Sequence, residues 1–186
     1  MTDRNKEDAL LWKRIVAGLG KEVLRLPPAE RAWIAVRLER IGLLQEELHA
    51  LFLQADGPGA CRRCGGSCCD RGRHHPTLVN LLGYLLAGRR PPRPDFAAPC
   101  PFLGETGCLL EPSGRPFNCV TFICDEIEAR LYAAEREGFY ARERKLRGLY
   151  AEFDARYAGS SLRGVLIRAS RLGDGDLLAP AAGAGV

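Results

Sequence analysis

The sequence predicts a mainly α-helical fold: long flanking helices around a small, irregular, cysteine-rich core with at most a short hairpin. Three observations predict it. Apolar residues recur three or four apart at both ends of the chain, Gly, Pro and Cys dominate the middle, and all eight Cys fall between positions 61 and 124. The chain accordingly divides into an N-terminal helical arm (1–56), a cysteine-cluster core (57–124), a helical segment packing on that core (125–172) and a flexible tail (173–186).

Taken in order, a first helix is expected from Lys6 to Leu26, broken by Pro27-Pro28. The second starts near Pro28, a residue suited to a first helical turn, and stops before Gly57. Its Ile34, Leu38, Ile41, Leu44, Leu48, Leu51 and Phe52 make one apolar stripe, read as a packing face, with a partner-binding face as the alternative. Between Gly57 and Cys124 the one helix expected covers Pro76 to Leu86. "AGRRPPRPDFAAPCPFL" is expected to be extended or turned, because each Pro restricts itself and its predecessor. "CPFLGETGCLLEPSGRPFNC" reads as a small irregular hairpin. This middle segment has few apolar residues for an interior, so something else is expected to hold it.

A second long helix is expected directly from Asp125, with Glu128 completing a capping box. Ile127, Leu131, Ala134, Leu146, Leu149, Phe153 and Tyr157 line its apolar face, interrupted near Gly138. "SSLRGVLIRASRL" reads as one more short helix, and "GDGDLLAPAAGAGV" as a loose tail.

The composition, 46% hydrophobic and 27% charged, is that of a globular protein rather than a disordered one. The longest apolar run, "LVNLLGYLLAG", falls short of the roughly 20 residues a membrane helix needs, so no membrane insertion is expected. The opening "MTDRNKEDALLWKRIVAGLG" mixes charge signs, so a secretory leader is not expected and the cytoplasm is the expected location. In a reducing compartment clustered Cys read first as metal ligands, with disulfides as the competing explanation.

The candidate ligands form two groups, Cys61, Cys64, Cys68 and Cys69, then Cys100, Cys108, Cys119 and Cys124. A C-x2-C pair in a Gly-rich turn lets two sulfurs converge on one ion. In an extended backbone the neighbours Cys68 and Cys69 point to opposite faces, which suits two different ions better than one. Eight thiols then divide into two four-sulfur sites, each drawing on both groups; sites in series and a single bridged cluster are the alternatives. A structural zinc site contributes about 10–16 kcal/mol, against a whole domain's net stability of about 5–15 kcal/mol. Metal is therefore expected to stabilise residues 57–124, which would lose order without it.

Arg62, Arg63, Arg71, Arg73 and Arg115 lie near the sulfurs and are expected to offset thiolate charge, with a nucleic-acid patch as the less favoured reading. Cys124 precedes a helix start, where backbone dipoles favour a thiolate. His74 and His75 follow the first group closely enough to ligate, although eight Cys already complete two sites; a Cys69–His74 nucleophilic pair is a further reading. His49 is read as an ordinary side chain on the long helix.

Cys61-x2-Cys64-x3-Cys68-Cys69, then Cys100-Pro101-Phe102-Leu103, Gly107-Cys108, Arg115-Pro116, Cys119, Phe122 and Cys124 together resemble the bacterial YkgJ-type cysteine-cluster family, described as zinc- or iron-chelating proteins. The resemblance covers the central third of the chain and implies a cysteine-bound metal centre without identifying the metal. The family commonly has Arg where this chain has Val120, which puts any role of that Arg in doubt here. A related branch occurs within flagellin lysine methylases.

The expected function is therefore a metal-binding protein holding zinc or iron, with a structural or interaction role. The alternative is an iron–sulfur protein, of [4Fe–4S] type, in electron transfer or methyltransferase-like enzymology. Four-thiolate tetrahedral sites leave no open position for hydrolysis, and neither paired carboxylates nor a phosphate-binding Gly loop stands out. An enzymatic role is thus left open but not favoured. A protein partner could use the helical flanks.

Overall fold

The computed structural model describes residues 2–65, 67–105, 107–173 and 175–181, apart from the side chains of Cys68, Asp70 and Arg71. Helix α1 spans Asp3–Leu24, capped by Thr2, whose hydroxyl accepts from the Asn5 N–H at 3.3 Å. Helix α2 runs Pro28–Gln54, with Pro at its first position as expected. Gly57 does not follow α2 as its stop. Asp56 takes the left-handed conformation (φ 50°), and Gly57 opens a further helix, α3 (Gly57–Arg63). A Cβ on Gly57 would sit 2.3 Å from the Phe52 ring, so the glycine is needed for close approach.

The middle segment is more helical than its composition suggests. A 3-10 stretch covers Ser67–His74, α4 covers Leu78–Leu86, a 3-10 turn covers Pro112–Gly114, and α5 covers Phe117–Thr121. The expected hairpin is present as β1 (Leu103–Gly104) and β2 (Gly107–Cys108), antiparallel, with Leu103 opposite Cys108. Gly107 has φ 129°, which a side chain would disfavour.

The long C-terminal helix does not begin at Asp125. A single turn, α6 (Asp125–Glu128), has Cys124 as its N-cap residue. The chain then breaks, and α7 (Ala133–Arg156) starts afresh with Glu135 accepting from the Tyr132 N–H at 2.9 Å. Gly138 lies inside α7 without interrupting it. Phe139, rather than the exposed Ala134, is buried on its inner face. Helix α8 is Val165–Leu172, as expected.

Helix α2 is central. It packs on α7 on one side and on the 112–114 turn, α3, α4 and α5 elsewhere, while α1 packs on α4 and α8. Contact on several sides explains why α2 buries Gln45 as well as Ile34, Ile41 and Leu48. Between α2 and α7, Trp33 lies under the guanidiniums of Arg37 (3.9 Å) and Arg156 (4.7 Å) and edge-on to Phe153. Arg156 and Tyr157 both hydrogen-bond Glu30.

The middle segment is not without an apolar interior. Leu78, Val79, Leu81, Leu82, Tyr84, Phe96, Phe102, Leu110 and Val120 join the residues of α1, α2 and α7 in one buried cluster. The middle segment thus shares the apolar interior of the flanking helices. Helix α4 is apolar on almost every side, so it completes its burial against the stripes of the flanking helices. Part of the expected tail is also packed. Leu177 is buried, the N–H groups of Leu177 and Leu178 donate to the Glu22 carboxylate, and the buried Arg168 donates to the Leu177 carbonyl. Among the described residues no helix is long and apolar enough to cross a membrane.

Two outcomes follow for stability. Because Leu82 is fully buried in this shared cluster, Leu82→Ala should cost about 2–5 kcal/mol, read by urea unfolding as a lower midpoint for the whole chain. The Arg156 hydrogen bond, ahead of the opposing effect of burial, holds the Glu30 carboxyl below its ordinary 4.5. Its contribution is therefore complete above that pH and is lost as pH falls through the folded-state value. Glu30→Gln should flatten this acid-side loss when unfolding is measured on both sides of that pH.

Candidate metal centre

The first pair of cysteines sits at a helix end. Cys61 lies in α3 and Cys64 is its C-cap residue, with the Cys64 thiol donating to the Cys61 carbonyl at 3.5 Å. Opposite, Cys124 precedes α6. Its carbonyl accepts from the N–H groups of Ile127 and Glu128, both at 2.9 Å. The two helix ends are clipped together by side chains. Arg63 binds Glu126 at 2.6 Å, and Arg130 binds both Glu126 and Asp56 at 2.8 Å. Exposed pairs of this kind add little stability singly, but as a network they fix where α3 meets α6.

The neighbours Cys68 and Cys69 lie in the 3-10 stretch, not in an extended strand, so the opposite-faces argument does not apply to them. The side chain of Cys68 lies outside the described residues. This stretch is anchored by Arg73, which donates to Asp8 at 2.8 Å, to Asn5 at 2.7 Å and to the Phe96 carbonyl. Its Gly72 is seated against Cys100, where a Cβ would meet the sulfur at 2.5 Å. Only a glycine allows the two segments this approach. The hairpin then returns the chain, placing Cys108 across from Leu103 and so beside the Cys100 segment.

Cys119 is delivered by α5, whose lead-in is held by two buried amides. The Arg115 carbonyl accepts from Gln45 Nε2 at 2.6 Å and from Asn80 Nδ2 at 3.0 Å. The Arg115 guanidinium donates to the Leu110 carbonyl at 3.1 Å and lies 3.3 Å from His49 Nδ1. A guanidinium only donates, so His49 Nδ1 is the acceptor and its proton is on Nε2. Burial, then the Arg115 charge, lowers the His49 pKa. His49, Phe52, Arg115, Cys119, Val120 and Phe122 line a recess of about 30 Å³, room for one water-sized species.

These segments bring four thiols within one another's electrostatic reach. Burial pushes the Cys119 thiol far up, charges at Cys108, Cys100 and Cys69 push it further, and Arg115 opposes them. The residue as a whole is exposed, yet burial among its neighbours is the main cause of the rise. Burial also raises Cys100, with the Phe102 and Leu103 N–H groups opposing and Cys108 adding to the rise. His75 Nδ1 lies 3.3 Å from the Cys119 sulfur. Burial, then His74, lowers the His75 pKa.

Among the described residues no three His, Cys, Asp or Glu side chains converge closely enough to hold an ion as they stand. The donor chemistry nevertheless fits one. Soft thiolates suit zinc and iron, and thiols that raise one another's pKa are those a cation would deprotonate together.

Of the arginines expected to offset thiolate charge, Arg115 acts on Cys119. Arg63 and Arg73 engage carboxylates, as α6 and α1 present Glu126 and Asp8 to them. Arg62 is exposed, and the side chain of Arg71 lies outside the described residues. A close Cys–His contact joins His75 to Cys119; the Cys69–His74 pair was only a further reading of the sequence. Among the described residues the buried His74 Nδ1 has no hydrogen-bond partner. Val120 is buried, so the position where the resembled family commonly carries Arg faces the core here. Gln45, Gly72 and Asn80 were not singled out by the sequence, and His49 was read only as an ordinary side chain. Their partners lie dozens of residues away, and the only local signal is that Asn80 falls three residues after the helix-capping Thr77.

Comparison with known protein families, curated proteins and solved structures finds no match to this chain.

Since the thiolate is the reactive form, the upward shift of Cys119 has a direct consequence. In metal-free protein near neutral pH, iodoacetamide should label Cys119 far more slowly than an ordinary thiol, and faster as pH rises. Peptide mass spectrometry of the time course checks this. Labelling at the ordinary rate would contradict the desolvated placement.

Proposed function

We propose that this chain is a thiolate metal-binding protein holding zinc or iron in two cysteine sites, with a structural or interaction role. One site uses Cys69, Cys100, Cys108 and Cys119; the other uses Cys61, Cys64, Cys68 and Cys124. The observation that carries the reading is that distant segments meet at the cysteines: Gly72 is seated against the Cys100 sulfur, and His75 lies 3.3 Å from the Cys119 sulfur. Four sulfurs gathered from such distances, beside a glycine that admits Cys100, are costly to ionise together without a cation. The resemblance of the cysteine pattern to YkgJ-type proteins points the same way. Thiolate ligation also fits a reducing location such as the cytoplasm.

Zinc in such a site is closed and supplies cross-linking of the segments, whereas iron with sulfide supplies one-electron transfer. The chain's own residues do the rest. Gly72 admits the Cys100 sulfur, the hairpin returns Cys108, Gln45 and Asn80 fix the loop that carries Cys119, and Arg63, Arg130, Glu126 and Asp56 clip the Cys61–Cys64 end to Cys124.

The test is zinc, iron and acid-labile sulfide per chain after purification without oxygen. Two bound ions or clusters are expected, with Cys64→Ser and Cys119→Ser each removing about half of the metal as separate four-ligand sites require. Sulfide in proportion to iron would select the iron–sulfur form and exclude zinc. Metal content unchanged in both variants, or a folded metal-free protein with every thiol reactive, would end the proposal.

A further inference from the structure

We propose that His75 donates a hydrogen bond from Nδ1–H to the Cys119 sulfur and so holds that thiolate in the centre built from Cys69, Cys100, Cys108 and Cys119. This rests on the metal-binding reading above.

The 3.3 Å contact between His75 Nδ1 and Cys119 Sγ joins residues 44 positions apart in the chain. Both ends of it are built in. The His75 N–H donates to the Gly72 carbonyl at 3.1 Å, so the turn that seats Cys100 also sets His75. Two residues on, Thr77 caps α4, and its N–H and hydroxyl both reach Asn80 Oδ1 at 2.9 Å. The other end of the same amide, Asn80 Nδ2, donates to the Arg115 carbonyl at 3.0 Å, just ahead of α5 and Cys119. One buried side chain thus ties the turn bearing His75 to the segment bearing Cys119. Behind the turn, Gly164 lies so close to the His74 carbonyl that a Cβ there would sit 2.1 Å from it, and the Val165 N–H donates to the Pro76 carbonyl at 2.8 Å.

A metal-bound thiolate has no proton and can only accept. A histidine nitrogen beside it is useful as a donor, which places the proton on Nδ1. An N–H bond to a ligand sulfur spreads its negative charge and slows the protonation that releases the ion. Such partners of metal ligands change metal affinity about 10- to 100-fold. Arg115 acts on the same sulfur by charge, so the two groups offset thiolate charge from different residues.

The experiment compares metal release from the protein as purified, into a chromogenic chelator, for wild type, His75→Ala and His75→Asn. An Asn amide N–H falls near the position of Nδ1. Expected is release of about half the metal some 10- to 100-fold faster in His75→Ala, with His75→Asn close to wild type. In cobalt-exchanged protein the sulfur-to-cobalt charge-transfer band should keep its intensity in His75→Ala but shift in energy, since the sulfur ligands remain. Wild-type release rates in His75→Ala would overturn the proposal, as would failure of Asn to rescue. Complete loss of one ion in His75→Ala, matching Cys119→Ser, would make His75 a ligand and also overturn it. A wild-type protein without metal would instead sink the metal-binding reading, and this inference with it.

Discussion

Two buried amides converging on one carbonyl hold the arrangement together. Gln45 from α2 and Asn80 from α4 both donate to the Arg115 oxygen, which lies in the lead-in to α5. A buried amide left without partners costs on the order of 1–3 kcal/mol, so these side chains confine the loop to the one place that satisfies them. Gln45 also lies 3.5 Å from the Tyr150 hydroxyl on α7. The loop bearing Cys119 is thereby registered against three helices at once.

Charge supplies the second constraint. Cys119 is desolvated and surrounded by Cys108, Cys100 and Cys69, and each disfavours its ionisation. Ionic contacts elsewhere position the segments that carry other cysteines. Arg73 anchors the stretch bearing Cys69 to α1, and Arg63 with Arg130 joins α3 to α6.

The apolar interior is continuous through the middle of the chain. Helix α4 is short, but Leu78, Val79, Leu81 and Leu82 are all buried, and they bury against α1 and α2. The cysteine-bearing turns lie at the surface of this packed framework: Cys64 and Cys108 are exposed, and Cys61, Cys100 and Cys124 are half-buried.

Local pattern determined a good deal by itself. The three-four spacing of Ile34, Leu38, Ile41, Leu44 and Leu48 marked α2, Pro28 marked its start, and the glycines around residue 105 marked a hairpin, because each rests on contacts within a few residues. The candidate ligands were legible for the same reason, as thiols in a tight spacing. Only the tertiary structure decided that α7 restarts at Ala133, that Asp56 rather than a glycine turns the chain after α2, and that Cys119 meets His75. Each depends on a partner far along the chain: Glu126 and Asp56 are drawn to Arg63 and Arg130, and Asn80 joins Thr77 to Arg115. Periodicity records which face of an element is apolar, but not which distant face or amide it will meet.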